Sequence, residues 1–249
     1  MNSIVSSPVL VLVHAFPVGA RMWVPQIDAF PGWRVLTPSL PGFDETPRVA
    51  QPSMRAYAER ILASLGENGV QRAVFGGLSL GGYVTFALAR LAQSRMAGLI
   101  LADTRSGADS EAARSGRERM LALIERGGPA AVAEDMVPKL LGASTLASQP
   151  QVVAHVRSLI EAQSNDALAD ATRAMMTRDD STPLLATLDV PALVVVGEED
   201  TLTPPEQAEH MAAVLRRATL ARIAAAGHLS SVENPDAFNA AVTVFLASL

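Results

Sequence analysis

Six short apolar runs recur along the chain, separated by longer segments with helical periodicity. Such runs, rich in β-branched residues and without polar alternation, are typical of strands buried on both faces of a sheet. The pattern predicts strands at residues 9–13, 33–36, 73–75, 98–101 and 193–196, and a weaker one at 219–223. Strands that alternate with helices in this way predict a mostly parallel, doubly wound α/β sheet.

Several helical segments begin with residues that can cap a helix. Ser53 precedes a predicted helix through residue 65, and Asn234 with the following proline opens the last helix. The T-P-P-E sequence at 203–206 has the form of a capping box, which predicts Thr203 as the N-cap of a helix through residue 215.

Residues 105–189 interrupt the alternation, because they contain helical patterns but no convincing strand. The patterns cover residues 111–126, 130–141, 151–162 and 166–176. We interpret this stretch as a helical cap inserted into one core domain formed by residues 1–104 and 190–249.

Composition narrows the classes of partner. The chain carries a net charge of -5, and no window of the sequence concentrates Lys or Arg, so neither nucleic acid nor an anionic membrane is expected as a partner. A small-molecule partner is expected instead. The absence of cysteine excludes disulfides, thiolate metal sites and a cysteine nucleophile, and it fits a cytoplasmic location. The N-terminal apolar run lacks a basic flank and is interrupted early, so we expect a strand there rather than a signal peptide or membrane span.

The strongest local signal for chemistry is the G-L-S-L-G sequence at 77–81, between a predicted strand and the helix predicted at 83–91. A serine on such a sharp strand-to-helix turn has a strained backbone, and small residues two positions before and after it let neighbouring segments approach. The alternative is a glycine-rich turn with an incidental serine. The position between strand and helix favours Ser79 as a nucleophile at the positive end of a helix.

A serine hydroxyl needs a base within hydrogen-bond reach and a third group that orients this base. His228 follows the last predicted strand and Asp200 follows the strand at 193–196, so both belong to the sheet edge where Ser79 is expected. Asp103, which also follows a strand, is the main alternative for the acid. The adjacent Glu198 and Glu199 are expected to be solvated.

The remaining histidines are expected to have no catalytic role. His155 and His210 fall within helical patterns, where a solvated or packed histidine is the simpler interpretation. His14 ends the first strand and is interpreted as a structural hydrogen-bonding residue.

Two backbone N–H groups could bind the oxyanion that forms during acyl transfer. The residue after the nucleophile, Leu80, supplies one, and Phe16 in the H-A-F-P loop at 14–17 could supply the second. The alternative for this loop is a plain turn that ends the strand.

With these residues assembled, the chain resembles the α/β-hydrolase family, and within it the small carboxylesterases, enol-lactonases and cofactor-free haloperoxidase-like enzymes. The resemblance covers nearly the whole chain and rests on residues 14–17, 77–82, 197–200 and 227–228. It implies an α/β-hydrolase fold and acyl transfer to water through an acyl-enzyme on Ser79, with no metal or organic cofactor. Two departures are Ala15, where the family usually has glycine, and the few residues before the first strand, which predict a shortened or absent N-terminal hairpin.

We therefore expect hydrolysis of carboxylic esters of small to medium acyl size. The cap is expected to supply an apolar acyl pocket that includes Met120, Met136, Met175 and Met176. Enol-lactone hydrolysis is the main alternative, and Arg105 is then a candidate for binding a substrate carboxylate. A lyase, a perhydrolase and a non-hydrolytic receptor remain open, because fold alone does not separate them.

Overall fold

A six-stranded, all-parallel sheet forms the centre of the computed structural model, which describes residues 7–249. The strands are β1 (Val9–Val13), β2 (Arg34–Leu36), β3 (Ala73–Leu78), β4 (Met96–Ala102), β5 (Ala192–Gly197) and β6 (Ala218–Ile223). Their order across the sheet is β2-β1-β3-β4-β5-β6. All six predicted strands and the doubly wound α/β class are confirmed.

Outside the stretch between β4 and β5 the helices alternate with these strands, except that only a 3-10 turn separates β1 from β2. They are α1 (Met54–Glu67), α2 (Leu80–Ala92), α3 (Glu111–Leu140), α4 (Ala143–Ser148), α5 (Pro150–Glu161), α6 (Asn165–Met176), α7 (Thr182–Leu185), α8 (Pro205–Val214), α9 (Ser230–Glu233) and α10 (Pro235–Ala247). Short 3-10 turns lie at Ala20–Gln26, Phe43–Glu45 and Gln93–Arg95. Within the described part of the chain, none of these helices is both long and apolar enough to cross a membrane.

Both faces of the sheet are covered at its centre. Every residue of β1, β3 and β5 is buried, and successive side chains of a strand point to opposite faces. The edge strands β2 and β6 are partly exposed. This exposure explains why the apolar signal at 219–223 is weak.

Two of the three predicted helix caps are confirmed. Ser53 Oγ accepts a hydrogen bond from the N–H of Ala56, and Asn234 Oδ1 accepts one from Ala237. The prediction of a capping box at Thr203 is wrong. Helix α8 begins at Pro205 without a side-chain cap, because the Thr203 hydroxyl donates to Asp200 instead.

Five helices, α3 to α7, connect β4 to β5. Helix α3 is broken at Gly128, whose φ of 60° is left-handed, so the break separates the two helices predicted at 111–126 and 130–141. Helices α5 and α6 pack against α3. Residues 105–189 are called the cap. The division of the chain into a core and a cap stays a prediction.

Residues 7–249 contain no antiparallel strand pair. The shortened N-terminal hairpin concerns residues before β1, and residues 1–6 lie outside the described part of the chain.

A close approach of three segments shapes the turn between β3 and α2. Ser79 has φ 54° and ψ -110°. A Cβ atom added to Gly81 would lie 2.0 Å from the carbonyl oxygen of Val13, and one added to Gly77 would lie 2.1 Å from that of Gly81. Only glycine fits at 77 and 81, so the G-x-S-x-G spacing follows from backbone contact.

We expect Gly81→Ala to destabilise the protein by more than about 3 kcal/mol, because the added methyl group overlaps backbone that cannot move without separating α2 from β1. Urea unfolding of the purified variant measures this loss. Gly66→Ala is the control, since Gly66 lies in α1 with open space around its Cα. It should be neutral or more stable by up to about 1 kcal/mol. Equal stability of the two variants would contradict the packing argument.

Candidate active site

Three loops at the carboxyl edge of the sheet bring Ser79, His228 and Asp200 into one hydrogen-bonded line. The Oγ atom of Ser79 lies 2.8 Å from Nε2 of His228. The Nδ1 atom of the same ring lies 2.8 Å from Oδ2 of Asp200. The side chains of His228 and Asp200 are almost fully buried, whereas Ser79 is partly exposed.

The surroundings of Asp200 favour its ionised form. Burial alone would raise the pKa of this carboxyl, but the charge and hydrogen bond of His228, with bonds from Thr203, outweigh burial and lower the pKa. The Thr203 hydroxyl donates to Oδ2 at 2.7 Å, and the N–H groups of Leu202 and Thr203 donate to Oδ1. An ionised Asp200 accepts the Nδ1–H of His228, so Nε2 is free to accept the hydroxyl proton of Ser79.

Asp103, the alternative acid, points elsewhere. Its carboxyl accepts hydrogen bonds from the N–H of Gly197 and from the hydroxyl and N–H of Ser230. Burial and the neighbouring Asp200 carboxylate raise the pKa of Asp103 well above its usual value. The pKa values of the two aspartates are therefore shifted in opposite directions, and Asp200 ionises at lower pH than Asp103.

Two backbone N–H groups near Ser79 are free. Leu80 is the first residue of α2, and Phe16 lies in the loop after β1 and lines the same cavity as Ser79. Within residues 7–249, neither N–H group has a hydrogen-bond acceptor. The N-terminus of α2, with its partial positive charge, also lies beside Ser79.

His14 holds the loop that contains Phe16. The N–H of Leu40 donates to Nε2 of His14 at 3.0 Å, so the ring proton is on Nδ1, which donates to the carbonyl of Ala15 at 2.9 Å. Complete burial lowers the pKa of His14 and favours this neutral form. The prediction of a structural role agrees with these bonds.

The other titratable side chains named from the sequence are not part of the line that Ser79, His228 and Asp200 form. His155 and His210 are exposed on α5 and α8, and Glu198 is exposed. The expectation that Glu199 is solvated is wrong. It is partly buried, and its carboxylate accepts the N–H of Ser144 at 2.8 Å and so caps the start of α4.

A cavity of about 500 Å³ contains Ser79 and His228 in its lining. The cap contributes Met120, Met136, Met175 and Arg105 to its wall, as the sequence predicts. The prediction that Met176 belongs to this wall is wrong, because Met176 does not line the cavity. Adjacent residues of a helix point about 100° apart, and of this pair on α6 it is the buried Met175 that lines the cavity.

Glu233 has a structural role at the site that the sequence does not indicate. Its buried carboxylate accepts the N–H groups of Gly227 at 2.9 Å and Leu229 at 3.1 Å, on either side of His228, and that of Gly142 at 2.7 Å. The N–H of His228 itself donates to the carbonyl of Leu140 at 2.9 Å. The histidine loop is therefore fixed against the end of α3.

Comparisons with known proteins agree with this fold. A family model described as "alpha/beta hydrolase fold" matches residues 8–235. An esterase from Thermogutta terrifontis, solved with malate bound, is 37% identical with a TM-score of 0.93, over 97% of this chain and 90% of that chain. The enol-lactonase from Burkholderia xenovorans LB400 is 26% identical with a TM-score of 0.89, over 97% and 92%. A candidate carbamate hydrolase from Pseudomonas syringae pv. syringae (strain B728a) is 28% identical over 247 residues, 97% of this chain and 95% of that protein.

We expect Glu233→Gln to destabilise the protein by about 1–3 kcal/mol, because the amide nitrogen faces backbone donors and leaves at least one N–H group without an acceptor. Burial raises the pKa of Glu233 above 4.5, so its contribution to the free energy of unfolding is largest below pH 4.5 and is lost as the pH rises through the raised value. The stability difference between wild type and variant should therefore shrink as the pH increases.

Urea unfolding at several pH values measures this difference. Glu118→Gln is the control, since Glu118 is exposed on α3. A difference between wild type and Glu233→Gln that does not change from below pH 4.5 to neutral pH would contradict the electrostatic part of the prediction.

Proposed function

Since the chain belongs to the α/β-hydrolase family, we propose that it is a serine hydrolase that cleaves carboxylic esters of small to medium acyl size. The observation that carries the proposal is a pair of 2.8 Å contacts: one joins Ser79 to His228, both in the wall of the cavity, and the other joins His228 to Asp200. This geometry gives the serine a base, and gives the base a carboxylate that fixes its tautomer.

The reaction follows from these positions. Ser79 Oγ attacks the ester carbonyl carbon while Nε2 of His228 takes its proton. The carbon becomes tetrahedral, and the carbonyl oxygen becomes an oxyanion. The intermediate collapses, the C–O bond to the alcohol breaks, and His228 returns the proton to the leaving oxygen. Water then attacks the acyl-enzyme with His228 again as base, which releases the acid and restores Ser79. Asp200 stabilises the imidazolium in both steps.

The free N–H groups of Phe16 and Leu80 are the proposed oxyanion hole. Charge develops on the carbonyl oxygen only in the transition state, so donors fixed beforehand lower the barrier without strengthening substrate binding equally. Removal of one such donor in serine hydrolases costs about 3–4 kcal/mol. Both donors are backbone groups, which explains why the loop after β1 is held by the buried His14.

A second candidate within the same chemistry is lactone hydrolysis. A lactone is a cyclic ester, and the similarity to the enol-lactonase of Burkholderia xenovorans LB400 favours its inclusion. A panel of 4-nitrophenyl esters and small lactones separates the two preferences. Labelling of Ser79 by a fluorophosphonate without turnover of any of these compounds would instead indicate a receptor, a lyase or a perhydrolase.

We expect Ser79→Ala and His228→Ala each to lower kcat for ester hydrolysis by about 10⁴–10⁶, because neither group acts without the other. Stopped-flow or steady-state release of 4-nitrophenol measures the loss, and circular dichroism checks that each variant is folded. Wild-type turnover by folded Ser79→Ala would disprove the proposal.

The two aspartates provide a matched comparison in the same assay. Asp200→Asn should lower kcat by about 10⁴, since the amide favours the wrong tautomer of His228. Asp103→Asn keeps the bond between Asp200 and His228, so it should cost less activity while lowering stability. The reverse ranking of activities would show that the acid is Asp103.

The methionine-lined wall predicts a limited acyl length. Each methylene buried against it should contribute about 0.8 kcal/mol, or roughly a fourfold increase in kcat/KM, until the cavity is full. Across 4-nitrophenyl esters from acetate upward, kcat/KM should rise, peak at a short or medium chain and then fall sharply. A flat profile to long chains would indicate an open groove.

A further inference from the structure

The cavity that contains Ser79 is strongly cationic, although the chain as a whole is acidic. Five cationic side chains line it and only one carboxylate does, against a net charge of -5 for the chain. The cations are Arg105, Arg117, Arg119, Arg126 and Lys139, and the carboxylate is Asp135. These residues are spread along the sequence, but α3 and the segment before it bring them to one wall of the cavity.

Beside this wall, three guanidinium groups share one buried carboxylate, that of Asp109. Arg105 Nη2 lies 2.7 Å and Arg178 Nη1 2.5 Å from Oδ1, and Arg117 Nε lies 3.3 Å from Oδ2. One negative charge faces three positive ones, so two positive charges are in excess. A charge that is partly removed from water is costly unless an opposite charge balances it.

Arg178 is not the group that faces the cavity. Its side chain is 3% exposed, its Nη2 donates to the carbonyl of Gly107 at 2.8 Å, and its guanidinium stacks 4.1 Å from the ring centroid of Tyr83. Arg117 differs. It lines the cavity, is about one-fifth exposed, and touches Asp109 only through Nε. Within residues 7–249, its two terminal nitrogens have no hydrogen-bond partner.

Arg105 provides a second donor on the same wall. One terminal nitrogen is held by Asp109, and its Nε is buried without a hydrogen-bond partner. The planar guanidinium of Arg117 can bind a carboxylate by donating two parallel N–H···O bonds, an arrangement that arginine provides better than lysine.

We propose that the natural substrate carries a carboxylate at the far end of its acyl group, bound by Arg117 with Arg105. This inference rests on the proposed serine hydrolase function and narrows its substrate to half-esters of dicarboxylic acids. The methylenes of the acyl chain contact Met120 and Met136 of the same cavity wall, and the carboxylate takes up the excess charge of the Asp109 cluster.

The exposed cations have a different effect. Arg119 and Arg126 are exposed on α3, and Lys139 is exposed and paired with Asp135 at 2.6 Å. Water and salt screen such groups, so they contribute little to the bound state. They raise the local concentration of an anionic substrate at the cavity.

The test compares 4-nitrophenyl hydrogen adipate with 4-nitrophenyl hexanoate, which share the leaving group and acyl length but end in a carboxylate and a methyl group. For the wild type we expect kcat/KM to be about ten- to a hundredfold higher for the adipate ester. In Arg117→Met this ratio should fall at least tenfold, and Arg117→Lys should retain part of it because a point charge remains without the planar fork. Arg114→Met is the matched control, since Arg114 is exposed on α3 outside the cavity.

The outcomes separate this inference from the proposed function. Turnover of hexanoate with no preference for adipate would overturn the carboxylate site and leave the hydrolase in place. If neither ester is cleaved and Ser79 is not labelled, the hydrolase fails, and calorimetry of adipate binding still decides the site. Binding that is lost in Arg117→Met but kept in Arg114→Met supports it, and no binding to the wild type overturns it.

Discussion

The contact between the start of α2 and the end of β1 is the constraint on which the site depends. Gly81 brings its backbone so close to Val13 that no Cβ fits, and Gly77 does the same against Gly81. This packing holds Ser79 in a backbone conformation with positive φ that a serine does not adopt without support from its surroundings. The strained turn places the hydroxyl, the N–H of Leu80 and the positive end of α2 around the same point. The proposed nucleophile and one donor of the proposed oxyanion hole thus follow from one backbone contact.

The histidine is held by a second set of contacts, which reaches from the core to the cap. Glu233 fixes the N–H groups on both sides of His228 and also that of Gly142, and Leu140 accepts the N–H of His228 itself. The end of α3 is therefore attached to the loop that carries the base. A helix that lines the cavity beside Ser79 therefore also supports the loop of His228, so a displacement of α3 would also displace the imidazole ring.

The meeting of Ser79, Asp200 and His228 was predictable from the sequence, because their signals are local and the topology of the sheet fixes where they meet. The G-x-S-x-G motif is contiguous, and the carboxyl ends of parallel strands share one edge, so residues after β5 and β6 had to meet Ser79. The sheet followed from apolar runs for the same reason. The geometry also distinguishes Asp200 from Asp103, which strand position alone left open.

The residues that sequence analysis missed have partners far away in the chain. Glu199 caps a helix 55 residues earlier, and Glu233 accepts from Gly142, 91 residues earlier. Thr203 has the local form of a helix cap, but its hydroxyl bonds to Asp200, which itself contacts a histidine 28 residues further on. Short helices such as α4 have too few residues for a periodic signal. Tertiary partners decide such positions, and no local pattern reports them.

The proposed carboxylate site and the proposed oxyanion hole would act on different parts of the proposed reaction. The N–H groups of Phe16 and Leu80 meet charge that exists only in the transition state, so they act on kcat, whereas Arg117 would bind a carboxylate that is unchanged throughout and acts mainly on KM. Hydrolysis of a half-ester also creates a second carboxylate, so the product is more anionic than the substrate and is held more strongly by the same wall. A fully buried cluster of arginines would then slow product release. Three of the five cations are exposed, where water screens them, so the cavity can attract an anion without retaining a dianion.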